Sequence, residues 1–297
     1  MVHYILRTVL LVAFTLLAKF NLQATEYPFT ATVSGKGSPV ILIPGYTCGG
    51  AVWDSTVAEL KGTHQCHVLN IRGFAGVAPA AKSFSLREVK DGIKAYIKDN
   101  KLKNVIVAGH SMGGFLAMWT GAEMKKPELA GIVVVDAVPF IALLADSTAT
   151  ERAIDTAAVR QMEQMMKGQS YEMRKFYGKP MAQHYCLDST YHPLIAEWSA
   201  VSDPHTAASL IMEMAATDLR DEIATIEVPV LVLCAWEPGY NVPMESIRSA
   251  WSKQYAAVKN LQFHMVPGSR HFIMYDAPEA FYRELNTFMA QTVPGKK

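Results

Sequence analysis

Short, wholly apolar runs alternate with helical patterns along most of this chain. Apolar runs of four to six residues are typical of strands that are covered on both faces. Seven segments are predicted as strands on this basis or by alternation: residues 30–34, 40–43, 66–71, 105–108, 132–135, 228–233 and 261–265. Between two of them, Leu86, Val89 and Ile93 step by three and four, which predicts an amphipathic helix. The alternation predicts an α/β fold with a doubly wound, mostly parallel sheet and helices on both sides.

The alternation stops after Asp136 and resumes near residue 223. Residues 137–222 show helical patterns and no strand pattern, so we predict a helical insertion, here called the cap, in a core of residues 25–136 and 223–297. Methionine and aromatic side chains are frequent in the cap. They either pack a small core of its own or line an apolar substrate pocket. The residues predicted for that pocket are His110, Met162, Met165, Phe176 and Trp236.

A serine lies between the fourth apolar run and the helix that follows it. Residues 109–113 read Gly-His-Ser-Met-Gly, and an apolar helical pattern continues from Phe115. A strand, a tight glycine-flanked turn and a helix form the elbow that exposes a nucleophilic serine, since Gly109 and Gly113 remove Cβ atoms that would clash. The alternative is an ordinary strand-to-helix turn. The context favours Ser111 as a nucleophile at the carboxyl end of a strand, where sites in such sheets collect.

Charge and targeting signals narrow the function classes. The chain has 28 basic and 27 acidic residues, which gives no reason to expect a nucleic-acid partner. Arg7 precedes an apolar run over residues 8–18, and Ala24 ends a stretch that could be a cleavage site. The run is shorter than the about 20 residues that span a bilayer. We therefore predict a signal peptide over residues 1–24, a secreted or periplasmic protein and no stable membrane anchor after cleavage; the alternative is a retained anchor.

Cysteine and histidine positions give no metal site. Cys48, Cys66, Cys186 and Cys234 are an even number, but their wide spacing leaves their pairing open. His64-Gln65-Cys66-His67 superficially resembles a ligand cluster, yet it leads into an alternating strand and lacks a second ligand group. We interpret residues 64–67 as the start of a strand and expect neither a metal nor an organic cofactor.

The motifs together resemble the α/β-hydrolase family, and within it the capped serine esterases. The resemblance rests on residues 109–114, on the Gly45-Tyr46 turn after the first long apolar run, and on His271 in a Gly-x-x-His turn before the last helix. It implies that Ser111 is the nucleophile and His271 its base. It also implies that the backbone N–H groups of Tyr46 and Met112 form the oxyanion hole.

The acid that completes the triad departs from the family pattern. Most relatives place an aspartate after the strand equivalent to residues 228–233, and the only carboxylate there is Glu237. Some relatives take the acid from the end of the preceding strand, where Asp136 stands. Asp136 could instead cap backbone N–H groups at the start of the cap. We favour Asp136 over Glu237, because a strand end holds an imidazole more rigidly than a loop.

The predicted activity is hydrolysis of small-molecule carboxylic esters through an acyl-enzyme. A lactonase, or a thioester or amide hydrolase, would use the same residues. From a different class, the fold could serve as a small-molecule binding protein without catalysis. The acyl and alcohol groups and the oligomeric state are not fixed by the sequence.

Overall fold

The computed structural model describes residues 26–145, 150 and 156–292, so the predicted signal peptide lies outside the described residues. One sheet has the strand order β1, β3, β2, β4, β5, β6, β7. β1 pairs antiparallel with β3, and every other pairing is parallel. The strands are β1 (Phe29–Gly35), β2 (Ser38–Ile43), β3 (His64–Ile71), β4 (Val105–His110), β5 (Leu129–Val135), β6 (Val230–Trp236) and β7 (Leu261–Pro267).

Helices follow most strands and cover both faces of the sheet. Their bounds are α1 (Asp54–Leu60), α2 (Leu86–Asp99), α3 (Met112–Glu123), α4 (Ala142–Ala145), α5 (Thr156–Lys167), α6 (Tyr171–Tyr185), α7 (His192–Val201), α8 (Pro204–Ala216), α9 (Met244–Gln254), α10 (Ile273–Asp276) and α11 (Pro278–Thr292). The predicted helix beginning near Leu86 is α2. Its N-terminus is fixed by a capping box, in which the Ser85 hydroxyl accepts the Glu88 N–H and the Glu88 carboxylate accepts the Ser85 N–H.

Alternation of side chains along each central strand explains the two covered faces. In β2, Ile41 and Ile43 belong to the core cluster that includes Leu86 of α2, whereas Val40 and Leu42 belong to the cluster on the other side. Successive side chains of a strand point to opposite faces, so a wholly apolar run can be buried only between two layers. The prediction of a doubly wound α/β fold is confirmed.

The sixth strand differs from its prediction. The apolar run suggested residues 228–233, but β6 begins at Val230 and continues to Trp236. The reason is tertiary: the ladder with β7 continues through Trp236, which pairs with Pro267. The loop that carries Glu237 therefore starts directly at the end of this strand.

The histidine cluster near residue 64 is part of β3, as predicted. The His67 ring nitrogens are hydrogen-bonded to the Tyr96 hydroxyl at 2.8 Å and to the Gln65 side chain at 3.1 Å. The imidazole thus has partners inside the fold. Cysteines 48, 66, 186 and 234 are all buried and free.

The described part of the segment between β5 and β6 contains α4 to α8 and no strand. Its two ends meet, because the Leu219 N–H donates to the Pro139 carbonyl oxygen at 3.1 Å. The chain therefore leaves β5 and returns toward β6 at one place. Among the described residues, none of the helices has the length and apolarity needed to cross a membrane.

Candidate active site

The elbow between β4 and α3 holds Ser111 in a strained backbone conformation. Ser111 has φ 55° and ψ −122°, outside the regions that non-glycine residues normally adopt. A Cβ atom on Gly109 would lie 2.0 Å from the Gly113 carbonyl oxygen, and one on Gly113 would lie 2.2 Å from that of Ile43. The two glycines are therefore required sterically. The Ser111 N–H donates to Val135 at 2.8 Å, which holds the elbow against β5.

His271 and Asp136 meet across the carboxyl ends of the strands. His271 Nδ1 lies 2.7 Å from Asp136 Oδ2, and the second oxygen, Oδ1, accepts the Ala235 N–H at 2.8 Å. The Asp136 N–H donates to Leu233 at 2.8 Å. Because an ionised carboxylate only accepts, the proton of a neutral His271 lies on Nδ1 and Nε2 is left as an acceptor. That tautomer is the one a general base for a serine requires.

Glu237, the alternative acid, has other partners. Its Oε1 accepts from Arg270 Nε at 3.0 Å and Nη2 at 2.9 Å, and its Oε2 accepts the Gly239 N–H at 2.6 Å. The bond from Gly239 and the Arg270 charge lower the pKa of Glu237 against the opposing effect of burial. Of the two carboxylates weighed from the sequence, the structure brings Asp136, and not Glu237, to His271.

The two predicted oxyanion donors border the same elbow. A Cβ atom on Gly45 would lie 3.1 Å from Ser111 Cβ, so the turn carrying Tyr46 passes against the serine. Met112 is the first residue of α3 and is fully buried. Within the described part of the chain, neither the Tyr46 nor the Met112 N–H donates to a backbone acceptor. Free N–H groups at a helix N-terminus favour a negative charge.

His110 lies beneath the site rather than in an open pocket. It is fully buried, its ring centroid is 4.6 Å from that of His271, and its Nε2–H donates to the His271 carbonyl oxygen at 2.9 Å. Burial, and then the nearby His271, lower the pKa of His110 well below its usual value, so it is neutral. Its Nδ1 has no partner among the described residues. The sequence assigned His110 to the substrate pocket, and the structure corrects this because the ring is enclosed.

The sequence also matches a known protein family. A sequence model described as the alpha/beta hydrolase family matches residues 40–284 of the chain, which include the elbow, Asp136 and His271. The chain belongs to the alpha/beta hydrolase family. The resemblance to the α/β-hydrolase family seen in the sequence is thereby confirmed.

Relatives of this hydrolase carry several activities. The pimeloyl-[acyl-carrier protein] methyl ester esterase of Vibrio cholerae is 24% identical over 264 residues, which cover 88% of this chain and 95% of the relative. A thermophilic esterase from Thermogutta terrifontis superposes with a TM-score of 0.72 at 18% identity, covering 92% of this chain and 96% of that one. A bromoperoxidase from Bacillus anthracis gives 0.71 at 18% identity, covering 88% and 95%. These similarities fix the fold and leave the reaction to the site.

A mostly apolar cavity of about 370 Å³ adjoins Asp136 in this hydrolase. Its other lining residues are Leu143, Leu144, Ala235, Tyr240, Val242, Ser246, Ile247, Ala250 and Trp251. The apolar pattern of the sequence did not predict these residues as pocket residues. Ile247 and Trp251 are four residues apart on α9, so helical spacing could have placed them on one face.

Met162, Met165, Phe176 and Trp236 were predicted for the substrate pocket, and none of them is among the residues that line this cavity. Met162, Met165 and Phe176 are 49%, 60% and 72% exposed. The Trp236 indole N–H donates to Val242 at 2.9 Å. Other residues of the segment 137–222 do reach the site: Leu143 and Leu144 line the cavity beside Asp136, and the ring centroid of Tyr185 lies 5.2 Å from that of His271.

No metal site accompanies this arrangement in the part of the chain that the structure describes, since no group of three or more His, Cys, Asp or Glu side chains could hold an ion. The groups that lie at the carboxyl ends of the strands are Ser111, His271, Asp136 and the backbone N–H groups around them. A hydroxyl, an imidazole with a free acceptor nitrogen and a carboxylate suit nucleophilic acyl transfer.

Proposed function

We propose that this hydrolase cleaves carboxylic esters through a covalent acyl-enzyme on Ser111. The observation that carries the proposal is the 2.7 Å hydrogen bond between Asp136 and His271, because it leaves the Nε2 atom of the imidazole free to take a proton. Ser111 follows His110, whose ring centroid lies 4.6 Å from that of His271. The esterase names of two relatives support an ester as the substrate class.

Acylation in this mechanism begins at Ser111 Oγ. The oxygen attacks the ester carbonyl carbon while its proton passes to His271 Nε2, and the carbonyl oxygen becomes an oxyanion. The N–H groups of Tyr46 and Met112 stabilise that charge. The tetrahedral intermediate then collapses, the bond to the alcohol oxygen breaks, and the alcohol leaves with the proton from His271.

Deacylation repeats these steps with water as the nucleophile. His271 Nε2 takes a proton from water as its oxygen attacks the acyl carbon, and returns it to Ser111 Oγ when the carboxylic acid leaves. Asp136 stays ionised, fixes the tautomer of His271 and stabilises the imidazolium. The cycle needs no cofactor.

The cavity beside Asp136 supplies an apolar subsite in this proposal. Its lining is mostly aliphatic and aromatic, and among the described residues that line it Asp136 is the one charged side chain. We assign short and medium acyl chains to the substrate class rather than charged groups. The cap side chains Met162, Met165 and Phe176 remain candidates for the outer wall of the pocket.

Reaction with a fluorophosphonate probe tests the proposal. The probe should label Ser111, and Ser111→Ala should abolish both labelling and hydrolysis of nitrophenyl esters. Folded wild-type protein that resists the probe would favour a binding protein without catalysis. A chain-length series of nitrophenyl esters measured beside a lactone panel distinguishes the esterase from the lactonase alternative, which uses the same residues.

We also propose that the enzyme is secreted or periplasmic. The proposal rests on the sequence pattern of residues 1–24, with Arg7 before an apolar run of residues 8–18.

A further inference from the structure

The turn that carries His271 is fastened to the cap on both sides of the histidine. Arg270 Nη1 donates to the Gln183 carbonyl oxygen at 2.6 Å, and the Phe272 N–H donates to that of Tyr185 at 3.2 Å. Gln183 and Tyr185 belong to the last turn of α6 in the cap. The residues before and after His271 are thus bound to the same helical turn.

The carboxylate of Asp276 joins the turn that carries His271 to the cap. Its Oδ2 accepts the Arg270 N–H at 2.8 Å. Its Oδ1 accepts the N–H groups of Leu187 at 2.8 Å and Asp188 at 3.1 Å, and the Cys186 thiol at 3.3 Å. One oxygen therefore holds the histidine turn and the other holds the cap segment that follows α6. Hydrogen bonds to an ionised acceptor are the stronger kind.

We propose that Asp276 is a positioning residue that holds the backbone around His271 at a fixed position relative to the cap. The inference rests on the proposed function, in which His271 is the base. His110 holds the backbone of His271 from below and Asp136 holds its ring, whereas Asp276 ties the flanking backbone to the cap. Loss of that tie lets the turn shift, and a misplacement of about 1 Å can cost roughly 100-fold in rate.

A second carboxylate between cap and core provides a matched control. Glu213 of α8 accepts the Leu86 N–H at 2.5 Å and the Arg87 N–H at 3.1 Å, at the start of α2. Like Asp276 it is half-buried and binds backbone N–H groups across the boundary between cap and core. It differs in binding α2 and not the histidine turn. If the cap attachment in general matters, substitution of either carboxylate should lower kcat. If the placement of His271 matters, only substitution of Asp276 should lower it.

The first test compares Asp276→Asn with Glu213→Gln in hydrolysis of 4-nitrophenyl butyrate at equal folded concentration. Asparagine can keep one oxygen on Leu187 but turns its NH₂ donors toward the Arg270 N–H. We expect kcat of Asp276→Asn to fall by about 10- to 100-fold with KM nearly unchanged, while Glu213→Gln keeps kcat. Equal losses of kcat in both variants, or an unchanged kcat in Asp276→Asn, overturn the proposal.

A spectroscopic signal tests the same idea without turnover. The Nδ1–H of His271, hydrogen-bonded to Asp136, should give a downfield proton resonance that disappears in His271→Gln. Asp276→Asn should shift or broaden it, and Glu213→Gln should not. If the wild type neither reacts with fluorophosphonate nor cleaves esters, the proposed function fails and this signal still decides the inference. An identical signal in Asp276→Asn contradicts it.

A change on the cap side covers the case in which Asp276→Asn does not fold. Asp188 has φ −71°, which proline adopts, so Asp188→Pro removes one N–H that Asp276 accepts. Because the Asp188 side chain also caps a turn through the Thr190 N–H, Asp188→Ala serves as the control. A lower kcat and an altered His271 resonance in the proline variant alone support the inference; equal behaviour of the two overturns it.

Discussion

Replacement of Asp136 by asparagine should disable the imidazole while leaving the fold in place. Asp136 Oδ1 accepts the Ala235 N–H at 2.8 Å, and Oδ2 accepts from His271 Nδ1 at 2.7 Å. Asparagine can keep its oxygen on Ala235, which turns its NH₂ group toward His271. Nδ1 must then be the acceptor, so the proton of the neutral ring moves to Nε2. In that tautomer His271 cannot take the proton of Ser111.

The expected loss from Asp136→Asn is roughly 10⁴ in kcat. At about 1.36 kcal/mol for each factor of ten, this is about 5.4 kcal/mol in the activation barrier. Initial rates on nitrophenyl butyrate, at folded concentrations matched by circular dichroism, measure it. Glu237→Gln is the control, since Glu237 binds Arg270 and should matter little for kcat. Near-normal turnover in Asp136→Asn with collapse in Glu237→Gln would refute the assignment.

Three further predictions concern the pocket, the pH dependence of stability and export. Ile247→Lys should change the acyl chain-length profile of nitrophenyl esters more than Phe176→Lys, because Ile247 lines the cavity and Phe176 is 72% exposed; the reverse order would place the pocket under α6. The lowered pKa of Glu237 means that its interactions stabilise the fold above the ordinary carboxyl pKa and are lost as pH falls through the lower folded-state value. Urea unfolding should therefore find Glu237→Gln less stable than wild type at pH 7, with the difference vanishing as the pH falls below the lowered folded-state pKa of Glu237. A difference that persists in acid would contradict this. Sequencing of native protein should find an N-terminus near Thr25, whereas an intact Met1 on cytoplasmic material would disprove export.

The sheet and the elbow could be predicted from the sequence because their causes are local. A strand buried on both faces must be apolar at every position, as residues 40–43 and 105–108 are, and the elbow needs glycines at fixed offsets from Ser111. The extension of β6 to Trp236 could not be predicted this way. It depends on the pairing of that strand with β7, which the sequence of β6 does not encode alone.

The cap was predicted only as a set of helices. Its apolar side chains do not reveal which face of each helix turns to the core, and Phe176 and Met165 prove largely exposed. The partners of Asp276 in the cap could not be predicted either, since Leu187 and Asp188 are 89 and 88 positions away along the chain. Such contacts follow from packing between the cap and the core rather than from any pattern within a segment.

The hydrogen bond between Leu219 and Pro139 holds the two ends of the segment between β5 and β6 next to each other. A segment whose ends lie one hydrogen bond apart can be exchanged for another of different length without stretching the sheet beneath it, because the cost of closing a longer loop grows only slowly. The position after β5 is therefore a natural grafting point: caps taken from other hydrolases could be spliced between residues 139 and 219 to change what enters the site, while the elbow is left as it stands.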